Sequence, residues 1–104
     1  VDLWIDRAVL HFFTNPKEQE NYFDLLSNTV KSNGYVILAQ FNTDSAKFCS
    51  GLPVYQYSRV LLEKYIGSGF ILIDSFNYTY TMPSGDKREY IYTLFKKKLK
   101  WENV

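Results

Sequence analysis

The sequence has few of the residues that build disulfides, metal centres or membrane spans. It contains a single cysteine, Cys49, and a single histidine, His11. An intramolecular disulfide is therefore excluded, and a structural zinc site, which needs several Cys and His ligands, is not expected. No apolar run approaches the ~20 residues needed to cross a bilayer, and no basic-then-apolar leader opens the chain. These absences predict a cytoplasmic protein that binds no metal.

Net charge is also nearly absent. Twelve Lys and Arg against 11 Asp and Glu leave a formal charge of +1 at pH 7. A charge this small argues against a nucleic acid or an anionic membrane as a partner held by bulk electrostatics. The basic run from Lys96 to Lys100 is the local exception, and we expect it to be solvated rather than to contact phosphate.

Glycine is scarce, and none of it forms a nucleotide-binding loop. The five glycines are Gly34, Gly51, Gly67, Gly69 and Gly85. None lies in the strand–GxGxxG–helix context that places backbone N–H groups around a phosphate. Such a loop is therefore absent from these 104 residues.

What is present indicates one domain, or part of one. The 104 residues are 46% hydrophobic and 18% aromatic, enough for a core, although a chain this short has a thin stability margin. The run from Val1 to Ile5 is typical of a buried strand. Asp6 and Arg7 follow where that strand ends, which in open α/β sheets is the side where ligands bind. A strand beginning at the first residue is what we expect of a fragment.

The next segment predicts a helix and a second strand. Asn15 is a candidate N-cap before Pro16, and Asn33-Gly34 predicts the helix end, with Gly34 at positive φ. The predicted buried side of this helix is Tyr22, Phe23, Leu25, Leu26 and Val30. The nearly unbroken apolar run from Tyr35 to Phe41 is typical of a strand covered on both faces.

Residues 42–57 show no hydrophobic period and predict a long loop with about one helical turn, and loops of this length are often functional. Ser58 is expected to cap a second helix ending at Ile66, with Val60, Leu61, Leu62, Tyr65 and Ile66 buried. Phe70 to Ile73 is a third predicted strand, which continues with alternating aromatic residues. Pro83 to Asp86 is a turn, and Tyr90 to Phe95 returns as an antiparallel partner.

The predicted fold class is α/β: a three-layer, mostly parallel sheet ending in an antiparallel hairpin, in the order β-α-β-α-β-β. The predicted domain is a single partial one, residues 1–104.

Two motifs and this element order resemble a known family. Asp2-Leu3-Trp4-Ile5-Asp6-Arg7-Ala8-Val9-Leu10-His11-Phe12 is similar to the fourth-strand motif of class I S-adenosylmethionine-dependent methyltransferases. Asn33-Gly34-Tyr35-Val36-Ile37-Leu38 resembles the entry to their fifth strand, and Cys49-Ser50-Gly51-Leu52-Pro53-Val54 resembles a loop in small bacterial members. The resemblance covers nearly the whole chain and corresponds to the C-terminal half of that fold.

The resemblance implies S-adenosylmethionine as cofactor and a small-molecule methyl acceptor. It places Ile5, Asp6 and Arg7 near the methionine end of the cofactor. The family's glycine-rich loop and the acidic residue that holds the ribose have no counterpart here. The chain alone is therefore expected to bind cofactor weakly, if at all, and to be inactive.

Each candidate site residue also has a structural interpretation. Asp6 and Arg7 are equally well explained as a mutual pair or as a cap for the next segment. His11 is a candidate base or pocket residue, but a buried, hydrogen-bonded histidine is the favoured alternative. Cys49 is a candidate for lining the acceptor pocket rather than a nucleophile. Phe41, Tyr55 and Tyr57 are candidates for aromatic contacts near a sulfonium, with core packing as the alternative; of these, Phe41 and Tyr57 complete the predicted acceptor pocket.

Two functions of different classes remain open. The first is the C-terminal half of a methyltransferase. The second is a non-enzymatic α/β association module, in which the exposed edge of the first strand pairs with another chain to form a homo-oligomer.

Overall fold

The computed structural model describes residues 1–49 and 51–99, so Ser50 and Lys100, both part of the motifs above, lie outside the described residues. The elements along the chain are β1 (Leu3–Arg7), a 3-10 turn (Leu10–Phe12), α1 (Pro16–Thr29), β2 (Tyr35–Phe41), β3 (Phe48–Cys49), β4 (Leu52–Pro53), α2 (Arg59–Ile66), β5 (Phe70–Thr81) and β6 (Lys87–Lys97). The predicted order of the main strands and helices is confirmed.

The main sheet has the strand order β1-β2-β6-β5. Strands β1 and β2 are parallel, whereas β6 is antiparallel to both β2 and β5. Three strands therefore share one direction, and the last strand of the chain is inserted between β2 and β5. The α/β class and the final antiparallel hairpin are confirmed, within a mixed sheet that contains one parallel pair.

Both helices pack on the same face of this sheet. Phe23 of α1 stacks on Tyr65 of α2, with ring centroids 5.9 Å apart. Residues from both helices form one core with alternate residues of β2 and β6, namely Tyr22, Phe23, Leu26, Val36, Leu38, Leu62, Ile66, Ile91 and Phe95. The described residues therefore form two layers instead of the expected three.

The opposite face of the sheet is covered only at one end. There, residues from the loop between β2 and α2 pack on Ala39, Phe41 and Tyr90. This loop contains the short hairpin β3–β4 rather than the expected helical turn. Beyond it lies the open face, whose apolar side chains are exposed: Leu3 (49%), Ile5 (64%), Tyr35 (43%), Ile71 (40%) and Phe76 (54%).

The predicted helix starts are confirmed. The Asn15 side chain accepts the Glu18 N–H at 2.9 Å, and Ser58 Oγ accepts the Leu61 N–H at 3.1 Å, each satisfying a donor that the first helical turn leaves free. Two residues predicted to lie on the buried sides of the helices are exposed, Leu25 at 60% and Val60 at 62%, and the first strand, predicted to be buried, exposes Leu3 and Ile5 because nothing covers its open face. Leu25 and Val60 each lie at the margin of the helix's apolar stripe, on the side that no other element covers.

The end of α1 differs from its sequence prediction. Val30 is the C-cap, and the residue with positive φ is Asn33, at 71°, rather than Gly34. The Nζ of Lys97, in the run expected to be solvated, donates to the carbonyls of Ser27 and Val30 at 2.6 and 2.8 Å. A cation at this position also interacts favourably with the helix dipole.

Gly34 is required for close packing. A Cβ at this position would lie 2.9 Å from the Lys31 carbonyl oxygen and 3.0 Å from that of Asp2. Both oxygens belong to backbone that joins α1, β1 and β2, so they cannot move independently.

We expect Gly34→Ala to lower the free energy of unfolding by about 1 to 3 kcal/mol, because the added methyl group forces these segments apart. Gly69→Ala is the matched control, since its Cβ would meet nothing within 4 Å, and it should change stability by less than about 0.5 kcal/mol. Urea unfolding measures both. Equal losses in the two variants would contradict this explanation.

Candidate functional site

The candidate site lies where β1 and β2 end, and Asp6 organises it. Asp6 is 5% exposed and faces the helices. Its carboxylate accepts the N–H of Val9 at 2.8 Å, the N–H of Leu10 at 3.0 Å and the hydroxyl of Tyr22. All three donors come from the segment that follows or from α1. The geometry therefore favours the capping interpretation of this side chain.

The chain turns sharply directly after Arg7. Ala8 has a φ of 67°, a left-handed conformation that residues with a Cβ adopt rarely. Its N–H donates to the Ala39 carbonyl at 2.7 Å, which extends the β1–β2 pairing by one residue. The turn leaves the main chain of residues 6–8 at the carboxyl edge of the sheet.

Arg7 points to the other face of the sheet and contacts three tyrosines. Its Nε donates to the Tyr92 hydroxyl at 3.1 Å, and the guanidinium carbon lies 5.2 Å from the Tyr90 ring centroid and 5.7 Å from that of Tyr80. The hydrogen bond to Tyr92 is the main cause that raises the pKa of Arg7. Arg7 does not pair with Asp6, because neighbouring residues in a strand face opposite ways.

His11 is fully buried and held by backbone. The ring Nδ1 accepts the backbone N–H of Phe41 at 3.2 Å. The backbone N–H of His11 donates to the side-chain Oε1 of Gln40 at 3.1 Å. The ring lies 4.5 Å from the Phe41 ring, centroid to centroid. Burial lowers the pKa of His11 from 6.5 to about 4. This geometry favours the structural interpretation over a catalytic base.

The three predicted acceptor-pocket residues are divided between two environments. Phe41, 2% exposed, and the half-buried Cys49 pack in the same small cluster beneath the loop. Tyr57 is fully buried in the helix-side core, and its N–H donates to the Phe41 carbonyl at 2.9 Å. Burial is the main cause that raises the pKa of Tyr57. Tyr55, also considered near a sulfonium, is half-buried and lies 5.0 Å from the Tyr57 ring, centroid to centroid.

Ile5 remains at the edge of the sheet, away from these clusters. It is 64% exposed on the open face, next to Ile37 of β2. Ile5 and Arg7 are thus accessible to a ligand, whereas the carboxylate of Asp6 is already fully engaged. None of the glycines among residues 1–49 and 51–99 lies in a strand–GxGxxG–helix context.

Sequence reasoning missed the tyrosines around Arg7 and the role of Gln40. The alternation of Tyr90 and Tyr92 in β6 indicates that both lie on one face. No local signal indicates that Arg7 lies on the same face two strands away.

No helix among residues 1–49 and 51–99 combines the length and apolarity needed to cross a membrane. The same ranges contain no group of three His, Cys, Asp or Glu side chains arranged to bind a metal.

Comparison with known proteins shows the fold. No family model and no curated protein sequence matches the chain. A SAM-dependent methyltransferase structure from Methanosarcina mazei matches 95% of this chain with a TM-score of 0.77 and 14% identity. The 1,6-didemethyltoxoflavin-N1-methyltransferase of Burkholderia thailandensis, solved with that substrate and S-adenosylhomocysteine, matches 94% with a TM-score of 0.69 and 16% identity. The N-methyltransferase NodS of Bradyrhizobium japonicum matches 94% with a TM-score of 0.68 and 7% identity.

The chain therefore has the fold seen in SAM-dependent methyltransferases, as the sequence motifs predicted. It spans 60%, 51% and 44% of the lengths of the M. mazei, B. japonicum and B. thailandensis structures, respectively. At these identities the likeness concerns the fold alone.

The buried imidazole predicts a specific pH dependence of stability. Because the folded-state pKa of about 4 lies below the ordinary 6.5, the unfolded chain binds the proton first as the pH falls. The stability due to neutral His11 is complete above about pH 6.5 and is lost progressively towards pH 4. We expect the free energy of unfolding to fall by about 1 to 2 kcal/mol between pH 7 and pH 5.

Urea unfolding of the wild type and of His11→Gln at both pH values measures this effect. Every other ionisable group is present in both proteins, so the difference between their pH slopes isolates His11. The variant should show a much smaller slope, whatever its absolute stability. Identical slopes would show that His11 does not titrate as the buried geometry requires.

Proposed function

We propose that these residues form the C-terminal half of an S-adenosylmethionine-dependent methyltransferase that methylates a small molecule. The observation that carries this proposal is the fold shared with such enzymes over 95% of the chain. It is supported by the fourth-strand motif, residues 2–12, which spans β1 and the turn that follows it.

The chemistry needs positioning more than acid–base groups. When bound, S-adenosylmethionine would supply a methyl group on a sulfonium; its bond to sulfur would break as the bond to the acceptor forms, leaving a neutral sulfide, and the acceptor proton would pass to water. In-line displacement depends on holding the two reactants in register. The proposal is therefore consistent with a buried His11 of lowered pKa and with a half-buried Cys49 that need not act as a nucleophile.

The cofactor's methionine end would lie along the carboxyl end of β1. Ile5 is accessible there, and the sharp turn at Ala8 leaves the main chain of Asp6 and Arg7 at the same edge. We assign Cys49 to the acceptor side, with the buried rings of Phe41 and Tyr57 supporting the loop behind it.

The open face supports the proposal that more chain completes the fold. Its exposed apolar side chains belong to strands whose opposite side is packed against two helices. Covering the apolar side chains of the open face would stabilise the sheet, because burial of apolar surface is the main favourable contribution to folding. A preceding half that covers the open face and pairs with the free edge of β1 would also bring the glycine-rich loop.

We expect the 104-residue chain to bind S-adenosylhomocysteine with a dissociation constant above about 1 mM, because these residues lack the glycine-rich loop. The complete natural protein should bind it in the micromolar range or tighter. Isothermal titration calorimetry measures both. Micromolar binding to the 104 residues alone would refute the half-enzyme proposal, and absence of binding to the complete protein would refute methyl transfer.

The alternative is an association module. The exposure of Ile5 and Leu3 on a strand with a free edge favours it, since such edges pair with other chains. In this case the 104 residues form a homo-oligomer through β1, and no cofactor is involved.

We expect Ile5→Lys to weaken any self-association of the 104-residue chain, because a charge on the open face must be desolvated in the contact. Val60→Lys is the matched control, since Val60 is 62% exposed on α2, away from the sheet, against 64% for Ile5. Sedimentation velocity over a concentration series measures the effect. A wild-type chain that stays monomeric and folded at high concentration would remove the association module.

A further inference from the structure

The side chain of Arg7 crosses the neighbouring strand to reach β6. In the sheet register Arg7 pairs with Ala39, and Ala39 pairs with Tyr92. The methyl group of Ala39 leaves room for the arginine stem to pass over β2. The guanidinium then donates to the Tyr92 hydroxyl and lies against the rings of Tyr90 and Tyr80. These three tyrosines are called the tyrosine cradle below.

The charge held in this cradle has no counter-ion in the described part of the chain. The two ion pairs there are Lys31–Asp2 and Arg59–Glu63. Of the Arg7 nitrogens, only Nε has a hydrogen-bond acceptor within residues 1–49 and 51–99. Both terminal amino groups of an exposed guanidinium are therefore available in a fixed orientation.

Such an arrangement is built for a planar anion. Arginine side chains are flexible, and ordering one on binding costs affinity. The tyrosine cradle removes most of that cost in advance. The free N–H groups of one guanidinium form a fork that matches the two oxygens of a carboxylate.

We propose that Arg7 and the tyrosine cradle form a binding site for a carboxylate group of the methyl acceptor. The guanidinium otherwise contacts only the neutral side chains of the tyrosine cradle. The site therefore carries a single positive charge, which one carboxylate neutralises. That balance favours a carboxylate over a doubly charged phosphate.

The identity of the occupant rests on the proposed function. Under that proposal the cofactor-binding loops lie beyond the free edge of β1. The Arg7 side chain runs in the opposite direction, across β2 towards β6. In the proposal the main chain of Arg7 therefore lies beside the cofactor. Its guanidinium lies over β6, on the side where the acceptor would bind.

The test uses the complete natural protein with benzoate as the probe and benzamide as its neutral match. Binding is followed through the Arg7 Nε–Hε resonance in ¹⁵N-edited NMR spectra. We expect saturable shifts with benzoate and none with benzamide. Arg7→Gln should weaken benzoate binding roughly tenfold or more, as expected on losing a charge-assisted pair. Tyr92→Phe should weaken it less, because only the orienting hydrogen bond is lost.

Arg88→Gln is the matched control, since Arg88 lies on β6 two residues from Tyr90 and its guanidinium donates to the Lys87 carbonyl at 3.0 Å instead of to a tyrosine hydroxyl. It should leave benzoate binding unchanged. An equal loss in Arg88→Gln would reduce the effect to general electrostatics and overturn the proposal, as would no response of Arg7 to benzoate.

Calorimetry with S-adenosylhomocysteine distinguishes the two carboxylate sources. Unchanged affinity in Arg7→Gln supports the acceptor as the occupant. A loss of about tenfold would assign the guanidinium to the cofactor's own carboxylate and overturn the proposal. If the wild type binds benzoate at Arg7 but not S-adenosylhomocysteine, the carboxylate site is supported while the proposed methyl transfer fails.

Discussion

The carboxylate of Asp6 is the interaction on which the rest of the site depends. By accepting hydrogen bonds from Val9, Leu10 and Tyr22, it holds the end of β1, the following turn and α1 in one arrangement. Buried carboxylates need such donors, because an unpaired charge in the interior is very costly. The turn it caps places His11 beneath the loop. Since Asp6 must face the helices, strand geometry sends Arg7 to the opposite face.

A second constraint is the one-sided covering of the sheet. Both helices pack on one face, and the loop between β2 and α2 covers only one end of the other. The apolar residues of the open face, including Ile5 and Ile71, remain exposed. This asymmetry connects the fold to its proposed function. In the proposal, the half that completes the fold is also the half that holds most of the cofactor, while the carboxyl edge of β1 contributes side chains to both reactants.

Local features of the fold were predictable because the residues that determine them are close in sequence. Asn15 and Ser58 cap helices whose first turns lie within three residues of them. The end of α1 was harder to predict. Gly34 is needed because the Asp2 carbonyl, more than thirty positions earlier, packs against it. Lys97 binds the carbonyls at the end of α1 from about seventy residues away. Composition and spacing carry no information about such contacts.

The sequence alone determined the types and order of the main elements, the hairpin at the end, and the motif that places charged residues where β1 ends. Tertiary structure decided what those residues contact. Alternation along a strand shows which side chains share a face, but the order of strands decides which of them meet. The insertion of β6 between β2 and β5 brings Tyr92 beside Ala39, and so within reach of Arg7, 85 positions away in the chain. Hydrogen bonding between backbones fixes that order only when the whole sheet assembles, which is why the tyrosine cradle appears in the fold and not in any local pattern.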